Sequence, residues 1–254
     1  MPRQKSPISR TPGVPAPFYQ SQPRALGQGD MTQPAASRRR GRDARPIELW
    51  AARVSHWIGV TAGVVATSLL LGVLIEHHDH RDLFAAAIYA VGLLAMLGCS
   101  AAYNLARPSP RREWLRRFDH AAIFLMIAGT YTPFMISLDD RAWGLTLLAI
   151  IWPVAIAGAA MKLAFPRRLE ALSIVLYLVL GWIILVAFRP LIESVAPSTV
   201  ALLAIGGVLY TAGVVFHLWE SLPFQKAIWH AMVVAAAACH YSAILFGIAL
   251  APAL

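Results

Sequence analysis

Ser100 and Asn104 stand four residues apart, as do Lys226 and His230, so each pair would share one face of a helix. Asp119 and His120 are adjacent, and His56, His217 and Glu220 add further ionisable groups. A carboxylate, a hydroxyl, an amide, an ammonium and several imidazoles brought together could hold a metal ion, a water or a lipid headgroup. Each residue also has a plainer reading. Polar groups near helix ends snorkel to the headgroups, and a histidine can sit satisfied inside a helix bundle. What makes these residues a set is the depth at which their helices would place them.

The elements that must position them are long and apolar. Of 254 residues, 58% are apolar and 14% charged, against about 45–50% and about 25% in an average soluble domain. A soluble globular enzyme, a disordered chain and a small disulfide scaffold are all disfavoured by that balance. Cys99 and Cys239 both lie in apolar runs, so neither a disulfide framework nor a zinc ribbon is indicated. Apolar runs fall at 54–75, 83–105, 118–138, 142–163, 169–188, 198–219 and 227–250. Each has about 20 residues or slightly more, and a helix of that length rises about 30 Å, the thickness of a bilayer's hydrocarbon core. The runs lack the polar stripe of a soluble amphipathic helix. The expected fold is therefore all-α, a polytopic membrane protein built as a seven-transmembrane-helix bundle over residues 47–254.

The first 46 residues differ in kind. They hold eight of the 17 prolines, nine Lys or Arg and two Asp. The segment reads as a disordered, basic, Pro-rich cytoplasmic tail. Its cluster Arg38, Arg39, Arg40 and Arg42 would meet anionic lipid headgroups, and no nucleic-acid partner is expected. With the tail inside, the inner connections carry nine Lys or Arg (Arg107, Arg111, Arg112, Arg116, Arg117, Lys162, Arg167, Arg168, Lys226) and the outer ones three (Arg81, Arg141, Arg189). That bias puts the N terminus in the cytoplasm and the C terminus outside the cell membrane. It also places His56, Ser100, Asn104, Asp119, His217, Lys226 and His230 at one depth, near the cytoplasmic leaflet. His240 lies ten residues beyond His230, about 15 Å deeper, and is expected to hydrogen-bond across the bundle. The outer connection from Glu76 to Asp82 is rich in His and Asp, which reads first as a solvated loop and second as a transition-metal trap.

Five segments together resemble the hemolysin III family of the progestin and adipoQ receptor superfamily. They are Ser100-Ala-Ala-Tyr-Asn104, Asp119-His-Ala-Ala-Ile123, Ala128-Gly-Thr-Tyr-Thr-Pro133, Ile228-Trp-His230 and Cys239-His-Tyr241. The stretch from Glu48 to Gly59, with His56, is similar to the family's entry segment. The resemblance covers about 48–250 and implies seven helices. It also implies a zinc ion held by three histidines near the cytoplasmic face, with a Ser and an Asp holding a water beside it. Ser100, Asp119 and His230 match that pattern. Asn104 and Lys226 stand where two of the histidines should be. An amide and an ammonium are poor zinc ligands, and His230 cannot hold the ion alone. No cofactor is therefore expected, and zinc would bind only if His56, His120 or His217 replaced the lost ligands. In the metal-free reading, the Lys226 ammonium would pair with Asp119, with Ser100 and Asn104 bonded around them.

Three functions follow from these residues and the resemblance. The first is a non-catalytic binding, sensing or scaffold protein with a lipid ligand. The second is a zinc-dependent lipid amide hydrolase of the ceramidase kind, in which Asp119 and Ser100 would be catalytic. The third, implied by the family's name, is a pore-forming hemolysin, although the runs offer no polar stripe to line a channel.

Overall fold

The computed structural model describes residues 46–77, 80–165, 167 and 169–251, all within the unit 44–254. The basic tail read from the sequence lies outside the described residues, as do His78, Asp79 and Arg168 and the side chains of residues 46–49 and His77.

Among the described residues every regular element is helical. In chain order these are α1 (Pro46–His77), α2 (His80–Leu105), α3 (Pro110–Ile136), α4 (Arg141–Ala164) and α5 (Glu170–Trp182). A 3-10 turn (Ile183–Ala187) leads from α5 into α6 (Phe188–Ser194), followed by α7 (Pro197–Leu218) and α8 (Gln225–Ile244), which ends in a π turn (Leu245–Ala249). Six stretches are long and apolar enough to cross a bilayer: Trp50–Glu76, His80–Leu105, Arg141–Ala164, Glu170–Ser194, Pro197–Leu218 and Gln225–Ala249. Their large apolar side chains face outward, among them Trp57, Leu69, Phe84, Val91, Ile156 and Phe246. In water such a surface would aggregate; in lipid it is the solvated face. The chain is a polytopic helical membrane protein.

α3 differs from these six. Its first ten residues include Arg111, Arg112, Glu113, Arg116, Arg117 and Asp119. Packing explains how a bundle accepts so polar a helix. α3 touches α2, α4, α5 and α8, and from Ala121 to Met135 it buries most of its residues. A helix walled in by others needs less apolar outer surface than one facing lipid. Two close approaches set its seam with α4. A Cβ on Gly144 would collide with the Met135 carbonyl oxygen, and one on Gly158 would run into the Phe124 ring.

The Ala128–Pro133 segment is where α3 locks its neighbours. Gly129 lies against the backbone of Ile88 and Tyr89 on α2. The Thr132 hydroxyl donates to the Ala128 carbonyl at 2.9 Å and accepts from the Trp152 indole of α4 at 3.2 Å. The Tyr131 hydroxyl donates to the Gly181 carbonyl at 2.8 Å and accepts from the Ile184 amide at 3.1 Å. It therefore bridges the point where α5 gives way to the 3-10 turn. Backbone groups freed by an irregular turn inside a membrane need such a partner. Trp182 extends the bridge by donating to Thr211 of α7 at 3.0 Å.

Candidate functional site

The polar residues picked out in the sequence form two groups rather than one. The first joins α2 to α3. Asn104 sits one turn beyond Ser100, and its amide donates to the Ser100 carbonyl at 2.9 Å. Its nitrogen is 3.5 Å from the Ser100 hydroxyl. The Ser100 hydroxyl in turn lies beside the Asp119 carboxyl. The second group joins α1 to α8. The rings of His56 and His230 meet edge to face at 4.2 Å between centroids. His56 is buried, and its Nε2 has no hydrogen-bond partner among the described residues. Lys226 precedes His230 by one turn and is exposed.

The expected ion pair between Lys226 and Asp119 is not formed: among the described residues neither takes part in a salt bridge. Lys226 lies in the first turn of α8, where a long cationic side chain reaches outward past the helix end. His120 is also turned elsewhere. Its carbonyl accepts from the Tyr177 hydroxyl at 2.8 Å, and its Nδ1 lies 3.9 Å from a Glu170 oxygen. The ring of His217 packs against Trp229 at 5.0 Å. His240, as expected, reaches across the bundle to the Leu203 carbonyl of α7 at 3.3 Å, over Gly206. Cys99 and Cys239 are free thiols.

These donors do not make a zinc site as they stand. The Asn104 amide is turned back onto its own helix, and Lys226 is exposed. Among the described residues no three His, Cys, Asp or Glu side chains converge on a point where a metal could sit. His56 has come to His230, but His120 and His217 have not completed a set with them.

One charged cluster was not foreseen in the sequence. Lys162, in the last turn of α4, is fully buried and pairs with Glu170 at 2.9 Å. Arg116 of α3 pairs with the other Glu170 oxygen at 3.1 Å and with Glu113 at 2.9 Å. Arg117 donates to the Leu163 carbonyl at 3.0 Å. Together they tie the ends of α3, α4 and α5. The signal was available: Glu170 follows Lys162 by eight residues, across a short connection. Lys162 read instead as one more surface cation in a basic loop.

Comparison with known proteins agrees with the motifs. A family model described as Haemolysin-III related matches residues 50–241. The chain is 34% identical over 193 residues to the Hemolysin-3 homolog of Bacillus subtilis (strain 168), covering 76% of this chain and 91% of that one. It is 36% identical over 193 residues to Hemolysin-3 of Bacillus cereus, covering 76% and 88%. To the Monocyte to macrophage differentiation factor of Homo sapiens it is 28% identical over 201 residues, covering 75% and 80%. No solved structure matches the chain significantly. With its apolar spans and its matches across three quarters of the sequence, the chain is a multi-pass protein of the cell membrane and belongs to the hemolysin III family, within the progestin and adipoQ receptor superfamily.

Proposed function

We propose that this hemolysin III-type protein is a non-catalytic binding, sensing or scaffold protein whose polar site works without a metal, near the cytoplasmic leaflet. In this reading α3 is a seventh crossing, the N terminus is cytoplasmic and the C terminus lies outside. The reading is supported by the chemistry at two positions. The family resemblance calls for imidazoles at residues 104 and 226, and the chain supplies an amide bonded to Ser100 and an exposed ammonium. Neither offers a metal the neutral nitrogen lone pair that an imidazole does. What is left is a hydrogen-bonding group of Ser100, Asn104 and Asp119 and a separate His56–His230 pair, polar surfaces suited to a lipid headgroup.

Metal analysis of the detergent-purified protein tests the reading. Only traces of zinc are expected in the unmodified chain, whereas the double variant Asn104→His, Lys226→His should take up about one zinc per chain. Stoichiometric zinc in the unmodified protein sinks the proposal and returns His230 to the role of a ligand. A second reading, a lipid amide hydrolase, draws on the proximity of Ser100 to Asp119. Hydrolysis of a short-chain ceramide, assayed with and without chelator, separates the two: no turnover is expected, and chelator-sensitive turnover favours the hydrolase.

A further inference from the structure

An open cleft of about 420 Å³ lies at the α2–α3 connection. Its wall carries three guanidinium groups, from Arg112, Arg116 and Arg167, and one carboxylate, Glu113. Glu113 is already engaged: Oε1 pairs with Arg116 at 2.9 Å and Oε2 with Arg167 at 3.1 Å. Three guanidiniums against one carboxylate leave the wall net positive, although Arg116 is also shared with Glu170.

Arg112 is the anchored member. Its Nε donates to the Tyr103 carbonyl at 3.3 Å, and its guanidinium lies over the Tyr103 ring, 4.7 Å from the centroid. Those two contacts hold its plane and leave the Nη groups without a protein partner among the described residues. Ser109, also on the wall, is the N-cap of α3, yet its side chain makes no capping bond. The same helix end brings its positive dipole to the cleft. The Arg112 fork, held in place with its Nη groups open, suits an anion with several oxygens, which a phosphate supplies.

We propose that this cleft binds a phosphate-bearing anion, either the headgroup of an anionic phospholipid or a soluble phosphate ester. The site is distinct from the Ser100–Asp119 and His56–His230 groups and from the basic tail. Only the leaflet that would supply a headgroup rests on the orientation proposed above; binding itself does not.

The test uses the full chain in nanodiscs of phosphatidylcholine, compared with nanodiscs in which one lipid in five is phosphatidylglycerol. A third arm adds glycerol 1-phosphate to the phosphatidylcholine discs. Thermal unfolding midpoints are read for the unmodified protein, Arg112→Gln and Arg111→Gln; Arg111 is exposed and does not line the cleft. An anion is expected to raise the midpoint of the unmodified chain and of Arg111→Gln, with more than half of that rise lost in Arg112→Gln. A rise with phosphatidylglycerol alone identifies a lipid headgroup, and an equal rise with glycerol 1-phosphate identifies the soluble ester. No rise in either arm overturns the proposal, as does equal loss in Arg111→Gln and Arg112→Gln, which would mean surface charge only. If Arg112→Gln does not fold, Arg112→Lys keeps the charge but not the fork and gives the same comparison. Neither metal content nor hydrolysis enters the readout, so failure here leaves the proposed function standing.

Discussion

Hydrogen bonds from Arg116, then Arg167, hold the Glu113 carboxyl well below the ordinary carboxylate value of 4.5, down to about 2. Because the folded value is the lower one, the stabilisation is present above about pH 4.5 and fades as pH falls toward 2. Unfolding midpoints of the unmodified protein and of Glu113→Gln are expected to differ near neutral pH and to converge over that interval. Added salt should shrink the gap, since the Arg167 partner is exposed to solvent. The Lys162–Glu170 pair predicts an asymmetry instead. Lys162 is fully buried, whereas the Glu170 side chain is 46% exposed. Glu170→Gln strands an ammonium in the interior and should cost about 3 kcal/mol or more. Lys162→Met leaves a carboxylate that still meets solvent and Arg116, and should cost less than about 1 kcal/mol, because methionine refills the apolar stem. Equal losses in chemical denaturation would contradict this picture.

At the level of elements, the Gly-Thr-Tyr-Thr-Pro segment of α3 was legible as a family signature but not as a joint. Its work lies in partners 20 to 53 residues away: Trp152, Gly181 and Ile184. Tyr131→Phe removes both bonds at the break between α5 and the 3-10 turn. The unmet Gly181 carbonyl and Ile184 amide should then destabilise the protein by about 1–3 kcal/mol. A thermal scan in detergent would read this as a lowered midpoint, and Tyr177→Phe, which loses a single bond to the His120 carbonyl, should lower it less. Gly144→Ala belongs to the same seam. Its methyl group meets the Met135 carbonyl, a backbone atom that cannot swing aside, so a loss of about 1–3 kcal/mol is expected. Element boundaries were read less well than element existence. The run at 54–75 became a helix from Pro46 to His77, because the polar first turns of α1 remain helical. The run at 169–188 extends through a 3-10 turn to Ser194.

Across the whole molecule, the proposed topology makes a prediction of its own. A reporter fused after α8 should be active only outside the cell, and one inserted between α4 and α5 only inside. The reverse result would invert the proposed depth of the polar groups as well. The topology rests on nine cations against three in the connections, and replacing Arg111, Arg112, Arg116 and Arg117 together should weaken the orientation bias.

Hydropathy and motifs alone determined that this chain is helical, lives in a membrane and is of the hemolysin III type. Bilayer thickness fixes how long an apolar run must be, and regular helix satisfies its own backbone, so those signals are local and survive in one dimension. Residue types alone also raised the expectation that 104 and 226 depart from the ligand pattern the resemblance implies. Only the tertiary structure decided who meets whom. Asp119 went to Ser100, His230 to His56, His120 toward Glu170, and Lys226 outward. Helices that agree in depth still differ in rotation, and rotation is set by how the grooves and glycines of neighbouring helices pack, which no single segment encodes.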